Sequence, residues 1–428
     1  MNAVFLAIVL IAFAVAAIRQ VLWSGAADDA PMAMLGKGMI DAAAGSVTLA
    51  IGLVGVMALF LGLMKVAEKG GLLVIIAKTL RPLLIRLFPE VPADHPAMGA
   101  MILNMAANVL GLGNAATPFG IRAMQQLETL NSQKGTATNA MALFLAINTS
   151  SITLLPTGVI ALRASAGSVD PAGIVPTTLF ATICSTTVAI VAAKFLEKRW
   201  AMPAAPANEV AARDDDLADI PDAPEGSGEA YPLWVSVAAL ASVAALVPLT
   251  IFYGRAIAPW IIPGLMVGLL SFGALRRVRV YEAFVEGAKD GFNVALRIIP
   301  YLVAILVAVG MFRASGAMGM IIEPLGGITE LVGLPPEALP MALLRPLSGS
   351  GAYGILASII QDPAVGPDSY VGYLVSTFQG STETTFYVLA VYFGAVGIRR
   401  IRHALIAALL ADLAGICGAV FIVRLLYG

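Results

Sequence analysis

Apolar positions in this chain mostly do not alternate with polar ones; they run on. Uncharged stretches at residues 42–64, 137–162 and 233–253 each reach the roughly 20 residues that a helix needs to cross the hydrocarbon core. The short alternating segments of a transmembrane barrel are absent from the pattern. The expectation is an all-α polytopic membrane protein. The first eighteen residues are apolar and precede the first basic residue, Arg19, so they read as a retained span rather than a cleaved signal peptide. Two stretches, 73–88 and 280–296, read instead as amphipathic segments suited to the membrane interface.

One break interrupts the apolar pattern. Residues 201–230, "AMPAAPANEVAARDDDLADIPDAPEGSGEA", carry prolines and acids with almost no apolar bulk and form a solvated linker. It divides the chain into membrane halves at 1–200 and 281–428, the second preceded by two connecting helices within 231–280. The halves resemble each other. "FLAINTSSITLLP" lies 231 residues before "VSTFQGSTETTFY", which sets Asn148 against Gln379, Ser150 against Ser381, Ser151 against Thr382 and Thr153 against Thr384. Internal symmetry of this kind is the sequence sign of transporter folds built from paired repeats.

Lysine and arginine near span ends set orientation. Lys194, Lys198 and Arg199 precede the linker, and Arg276, Arg277 and Arg279 follow it. Both groups belong on the cytoplasmic side, with the linker and Arg399–His403, "RRIRH". The C-terminus then lies outside and the repeats are inverted.

Polar residues inside the apolar runs are the candidate chemistry. Pro156 in "NTSSITLLPT" kinks or breaks its helix, and Asn148, Thr149, Ser150, Ser151 and Thr153 can serve the backbone groups this frees. The second cluster, Gln379, Ser381, Thr382, Glu383 and Thr384, adds a carboxylate. An ionised acid at membrane depth costs several kcal/mol unless paired, hydrated or protonated. Arg345 and Arg313 are its candidate partners, and a structural ion pair is the alternative to a solute or proton site. Because Ile152 stands opposite Glu383, a site built from both repeats would carry that carboxylate alone. Asp412 raises the same question without a surrounding polar cluster. Glycine-rich breaks at "NVLGLGNAATP" and "RPLSGSGAYG" add Asn114, Ser348 and Ser350.

Composition removes other functions. The 428 residues are 59% hydrophobic and 12% charged, with a net charge of −1, which offers no basic surface for nucleic acid. The two cysteines, Cys184 and Cys417, lie in apolar segments and suggest neither a disulfide framework nor a metal cluster. The GxGxxG at Gly349, Gly351 and Gly354 has no preceding strand. His95 reads as an interfacial loop residue and His403 as part of the basic loop; with no Walker A, HExxH or Ser–His pairing, no enzyme chemistry and no cofactor are expected.

"HPAMGAMILNMAANVLGLGNAATPFGIRAMQQL" and "FLAINTSSITLLPTGVIALR" resemble spore maturation protein A; "ALLRPLSGSGAYG" and "VSTFQGSTETTFYVLAVYFGAVGIRR" resemble spore maturation protein B. The resemblance spans 33–200 and 281–428 and marks the chain as similar to a fusion of the two, within the nucleoside-recognition or Gate superfamily. It implies two Gate-type inverted repeats whose broken or re-entrant helices meet near the membrane centre. Movement of a small polar solute, nucleoside-like or ionic, follows as the leading expectation, in a bacterial inner membrane and with assembly as a homo-oligomer. A non-transporting scaffold or regulator of envelope or spore maturation is the rival, and a mover of lipid-linked precursors the third reading.

Overall fold

The computed structural model describes residues 2–27, 29–111, 113–150, 153–200, 230–320, 327 and 329–428, with Asn114 among the positions described by backbone alone. Ser151 and the 201–229 part of the linker lie outside the described residues. Those described are helical or in turns, apart from one isolated bridge between Thr136 and Arg400.

Helix α1 (Asn2–Val21) is followed by α2 (Pro31–Lys69), α3 (Leu72–Leu87), α4 (Pro96–Val109) and α5 (Gly113–Thr129). The apolar run at 137–162 does not form one span; it divides into α6 (Asn139–Ser150) and α7 (Thr157–Ser165), as Pro156 requires. Helix α8 (Ile174–Glu197) closes the first half. In the second half α10 (Val280–Ala314), which follows α9 (Leu233–Leu275), corresponds to α2; α13 (Tyr370–Ser381), α14 (Thr385–Gly394) and α15 (Ala404–Tyr427) correspond to α6, α7 and α8, and the short α11 (Leu339–Leu344) and α12 (Gly349–Ile360) lie between. The amphipathic stretch 280–296 is not a separate interfacial segment. It is the first half of α10, a continuous helix of 35 residues.

Of the helices, α2, α8 and α15 are each long and apolar enough to cross a membrane, with shorter apolar helices beside them; the chain is a multi-pass membrane protein. Helix α9 covers 43 residues, about 65 Å if it were straight at ~1.5 Å per residue. Just before its start the Tyr231 amide donates to Lys78 O, in the middle of α3, while near its end Phe272 packs on Gly70, just before α3 begins. Its two ends therefore lie near each other, and α9 is not one straight helix.

The most extensive pairings are α2 with α10 and α8 with α15, each a helix against its own counterpart in the other half. In the first pair Gly38 meets Ala314, Ala58 meets Gly291 and Gly62 meets Phe284; numbers rise on one helix as they fall on the other. In the second, Ser185 meets Gly415 and Ala181 meets Gly418. Both pairs are antiparallel. An axis along the membrane normal would bring counterpart helices together in parallel, so the axis relating the repeats lies in the membrane plane. The repeats are inverted. The two larger buried apolar clusters draw on both halves: Ala142–Ile147 shares one with Val388, Tyr392, Ala404, Ala407, Ala408 and Ala411, and Leu49, Ala50 and Leu53 share the other with Leu302, Leu374 and Val423.

The glycines on α10 exist for contact. A Cβ on Gly291 would lie 2.7 Å from Ala58 N and Cα, backbone atoms that have nowhere to go, whereas one on Gly55 meets nothing within 4 Å. Gly291→Val is therefore expected to destabilise the protein by about 2 kcal/mol or more. Gly55→Ala is expected to leave it unchanged or slightly firmer. Thermal unfolding in detergent, followed by circular dichroism, checks both.

Candidate functional site: two helix breaks in contact

Helix α6 is described as far as Ser150 and α13 ends at Ser381; residues 153–156 and 382–384 are non-helical before the next helices begin. The second break is extended at Thr382 (φ −137°, ψ 161°) and Thr384 (φ −84°, ψ 97°). The breaks touch: the Glu383 amide donates to Thr149 O at 2.8 Å. Each thus supplies a partner that the other's interrupted helix has lost. Two further backbone groups at the first break also find partners, Ser150 O in Thr182 Oγ1 at 2.9 Å and Leu154 N in Val109 O at 3.1 Å.

No proline opens the second break. Arg345, only 4% exposed, holds it instead: Nη1 donates to Thr384 Oγ1 at 2.9 Å, and Nη2 donates to Thr382 O. The residues that bring Arg345 there are in the glycine-rich turn it begins. Ser348 caps α12 by accepting from the Gly351 amide at 3.0 Å, and a Cβ on Gly349 would lie 2.7 Å from Thr384 Oγ1. Ser348 is thus a cap beside the site, while Ser350 is exposed on the first turn of α12.

Glu383 keeps 49% of its side chain exposed, with Arg345 Nη2 at 3.7 Å from Oε2. Arg313 is not its partner; it binds Asp362 at 2.8 Å, at the far end of α10. Asp412, expected to lack polar company, has it: Thr385 Oγ1 donates to Oδ2 at 2.6 Å. With Arg345, Ser381 and Thr382 it also lines a cavity of about 10 Å³. The site therefore holds two carboxylates rather than one. Glu383 is half-exposed and Asp412 is buried; Arg345 pairs with the first and lines one cavity with the second.

Most of the other predicted binding groups are occupied. Thr149 donates to Ala146 O at 2.9 Å, and Ser150 bonds Ile147 O at 2.8 Å and Thr186 at 2.9 Å. Ser381 turns back towards Phe378 O at 3.5 Å. Asn148 is fully engaged, accepting from Asn108 at 3.0 Å and Tyr392 at 3.3 Å while donating to Phe144 O at 2.9 Å. Gln379 Oε1 is buried without a hydrogen-bond partner. Thr153 lies beside Gly111. The cavity that Arg345, Ser381, Thr382 and Asp412 line has room for about one water.

A second polar cluster escaped the sequence reading. Arg163, on α7, is fully buried; Nη2 binds Asp368 Oδ1 at 3.0 Å, and Cζ lies 4.2 Å from the ring centroid of Tyr373. Tyr373 stacks on Tyr427 with centroids 3.7 Å apart. The end of α7, together with Ser168 and the Val169 amide in the loop after it, which also bind Asp368, thereby grips the start of α13. At the other end, the loop before α15 grips the start of α6: Arg402 Nη1 binds Ala137 O at 3.0 Å and Asn139 Oδ1 at 2.9 Å. His403, beside it at the cap of α15, is fully buried with neither ring nitrogen bonded, and burial together with Arg402 pulls its pKa down to about 4. The available signal was a charge at the end of an apolar run, "ALRASAGSVD", with an acid preceding the start of the other repeat's broken helix.

Comparison with known proteins agrees with this architecture. Spore maturation protein B of Bacillus subtilis (strain 168) is 48% identical over 167 residues, 39% of this chain and 93% of that protein. Spore maturation protein A of the same organism is 47% identical over 154 residues, 36% of this chain and 79% of that protein. They match different halves, as a fusion of the two would. Inner membrane protein YjiG of Escherichia coli (strain K12) is 33% identical over 87 residues, 19% of this chain and 55% of that protein. A solved structure of CNTnw in an outward-facing state aligns over 100% of this chain and 98% of its own, at a TM-score of 0.37 and 12% identity, too slight a likeness to argue from. The Gate family model, described as nucleoside recognition, matches residues 50–166 and 295–399, one block in each repeat and together half of the chain; the chain belongs to that family.

Proposed function

We propose that this protein is a secondary transporter or channel-like protein of the bacterial cytoplasmic membrane, with a cytoplasmic linker, that holds a small polar solute or an ion where its two helix breaks meet. One observation carries this reading. The breaks are joined backbone to backbone by the Glu383 amide and Thr149 O, yet the Glu383 carboxylate stays half-exposed. A residue serving only to tie helices together would be expected to spend its charge on the tie. In the transport reading Glu383 takes up a proton, a cation or a solute hydroxyl, and Arg345 keeps the break in shape around it. The closed centre then corresponds to one state of an alternating cycle, in which the repeats rock about the axis that relates them.

The rival, a non-transporting scaffold or regulator, has its own observation in the hydroxyls bonded back to their own helices and the water-sized cavity beside Arg345 and Asp412. The two readings differ over Glu383. In the scaffold its pairing with Arg345 is permanent and structural.

Reconstituted in proteoliposomes, the full chain is expected to take up a labelled nucleoside or a monovalent cation, and Glu383→Gln to slow that uptake by about tenfold or more, which asks Glu383 for only ~1.4 kcal/mol. Uptake by Glu383→Gln equal to wild type removes the coupling role. Arg345→Met leaves buried partners without their donor and is expected to cost about 3–5 kcal/mol of stability, seen as a lower unfolding midpoint. Glu383→Gln should leave that midpoint unchanged; an equal fall in both variants favours the scaffold.

A further inference from the structure

Away from the central breaks, a half-open cavity of about 410 Å³ lies between the second half of α3, the first turns of α4 and the middle of α5. That is in the range of small-molecule sites. Its walls carry Arg81, Arg122 and His95, and its floor is Leu103, Phe119 and Ala100. Arg81 is 9% exposed and is held in place by a hydrogen bond from Nη2 to Ala93 O at 2.8 Å. His95 caps α4, its Nδ1 accepting from the Ala97 amide at 3.2 Å. Asp94, the one acid on the rim, has its side chain fully in solvent, 3.7 Å from Arg81. Two guanidinium groups around a half-open space with an apolar floor suit an anion attached to an apolar body.

The position fits such a ligand. Glu90, in the loop between α3 and α4, accepts from Asn139, which in turn accepts from Arg402. The cavity therefore shares an end of the molecule with the basic 399–402 loop. Helix α3 beside it is amphipathic, with Lys78, Arg81 and Arg86 among leucines and isoleucines, as expected of a helix at a membrane surface. Basic pockets between helices at such a surface bind anionic head groups.

We propose that this cavity is a phosphate-binding site, taking the phosphodiester head group of an anionic lipid between Arg81 and Arg122 with its glycerol end against Leu103 and Phe119. The site is separate from the helix breaks and stands whether or not Glu383 couples transport.

The test uses the full chain in detergent, titrated with phosphatidylglycerol, phosphatidylcholine or inorganic phosphate while its thermal unfolding midpoint is read. Phosphatidylglycerol is expected to raise the midpoint and phosphatidylcholine to leave it. In Arg122→Gln the concentration needed should rise about tenfold, the effect of losing one charge-assisted contact. Arg399→Gln, an exposed change at the same end outside the cavity, should leave the titration as in wild type. An Arg122-dependent shift with inorganic phosphate as strong as with phosphatidylglycerol supports the phosphate site and assigns it to the free anion. An unchanged titration in Arg122→Gln, an equal loss in Arg399→Gln, or no response to either anion overturns the proposal.

Discussion

A helix interrupted at membrane depth releases amides and carbonyls that lipid cannot satisfy, and the architecture of this protein is arranged around that constraint. Each half carries such an interruption; part of what it frees is met within the half, as Thr182 meets Ser150 O, and part across the boundary. Thr149 O finds its donor in Glu383, across the repeat boundary, and Thr382 O finds its donor in Arg345. The two breaks close on each other because that is where partners are.

Inverted symmetry makes this mutual supply possible. With the axis in the membrane plane, counterpart helices run antiparallel and meet along their lengths, and the small residues at Gly38, Gly62, Gly291 and Gly415 let their backbones come close. The same symmetry places Arg163 against the start of α13 and Arg402 against the start of α6. Each broken helix is therefore gripped at its outer end by the other repeat and tied at its inner end to the other break. Relative motion of the repeats would have to release one grip at a time, which is a physical basis for two-sided access.

The symmetry is imperfect where chemistry is concentrated. One break is opened by Pro156, a covalent device that works without neighbours. The other depends on Arg345, and an arginine in that place calls for negative charge nearby, supplied by Glu383 and Asp412. The uncharged and charged breaks are thus a consequence of two different ways of interrupting a helix. The charged one retains a half-exposed carboxylate.

Much of this was legible in the chain. Uncharged runs of membrane length, Pro156 within one of them, the acidic linker and the recurrence of "NTSSITLLP" as "FQGSTETTFY" depend on local composition and spacing, and they gave the helical membrane fold, the two breaks and Glu383 as the costly residue. Tertiary structure decided the pairings. Arg313 and Arg345 look alike as candidates in sequence, but only Arg345 is carried to the break, because Ser348 and Gly349 fold its turn against Thr384. Asp412 looked isolated because its partner Thr385 is 27 positions away, and the ties from Arg163 to Asp368 and from Arg402 to Asn139 span more than 200 residues. Periodicity records which residues leave water; which of them then meet is set by how the two repeats pack.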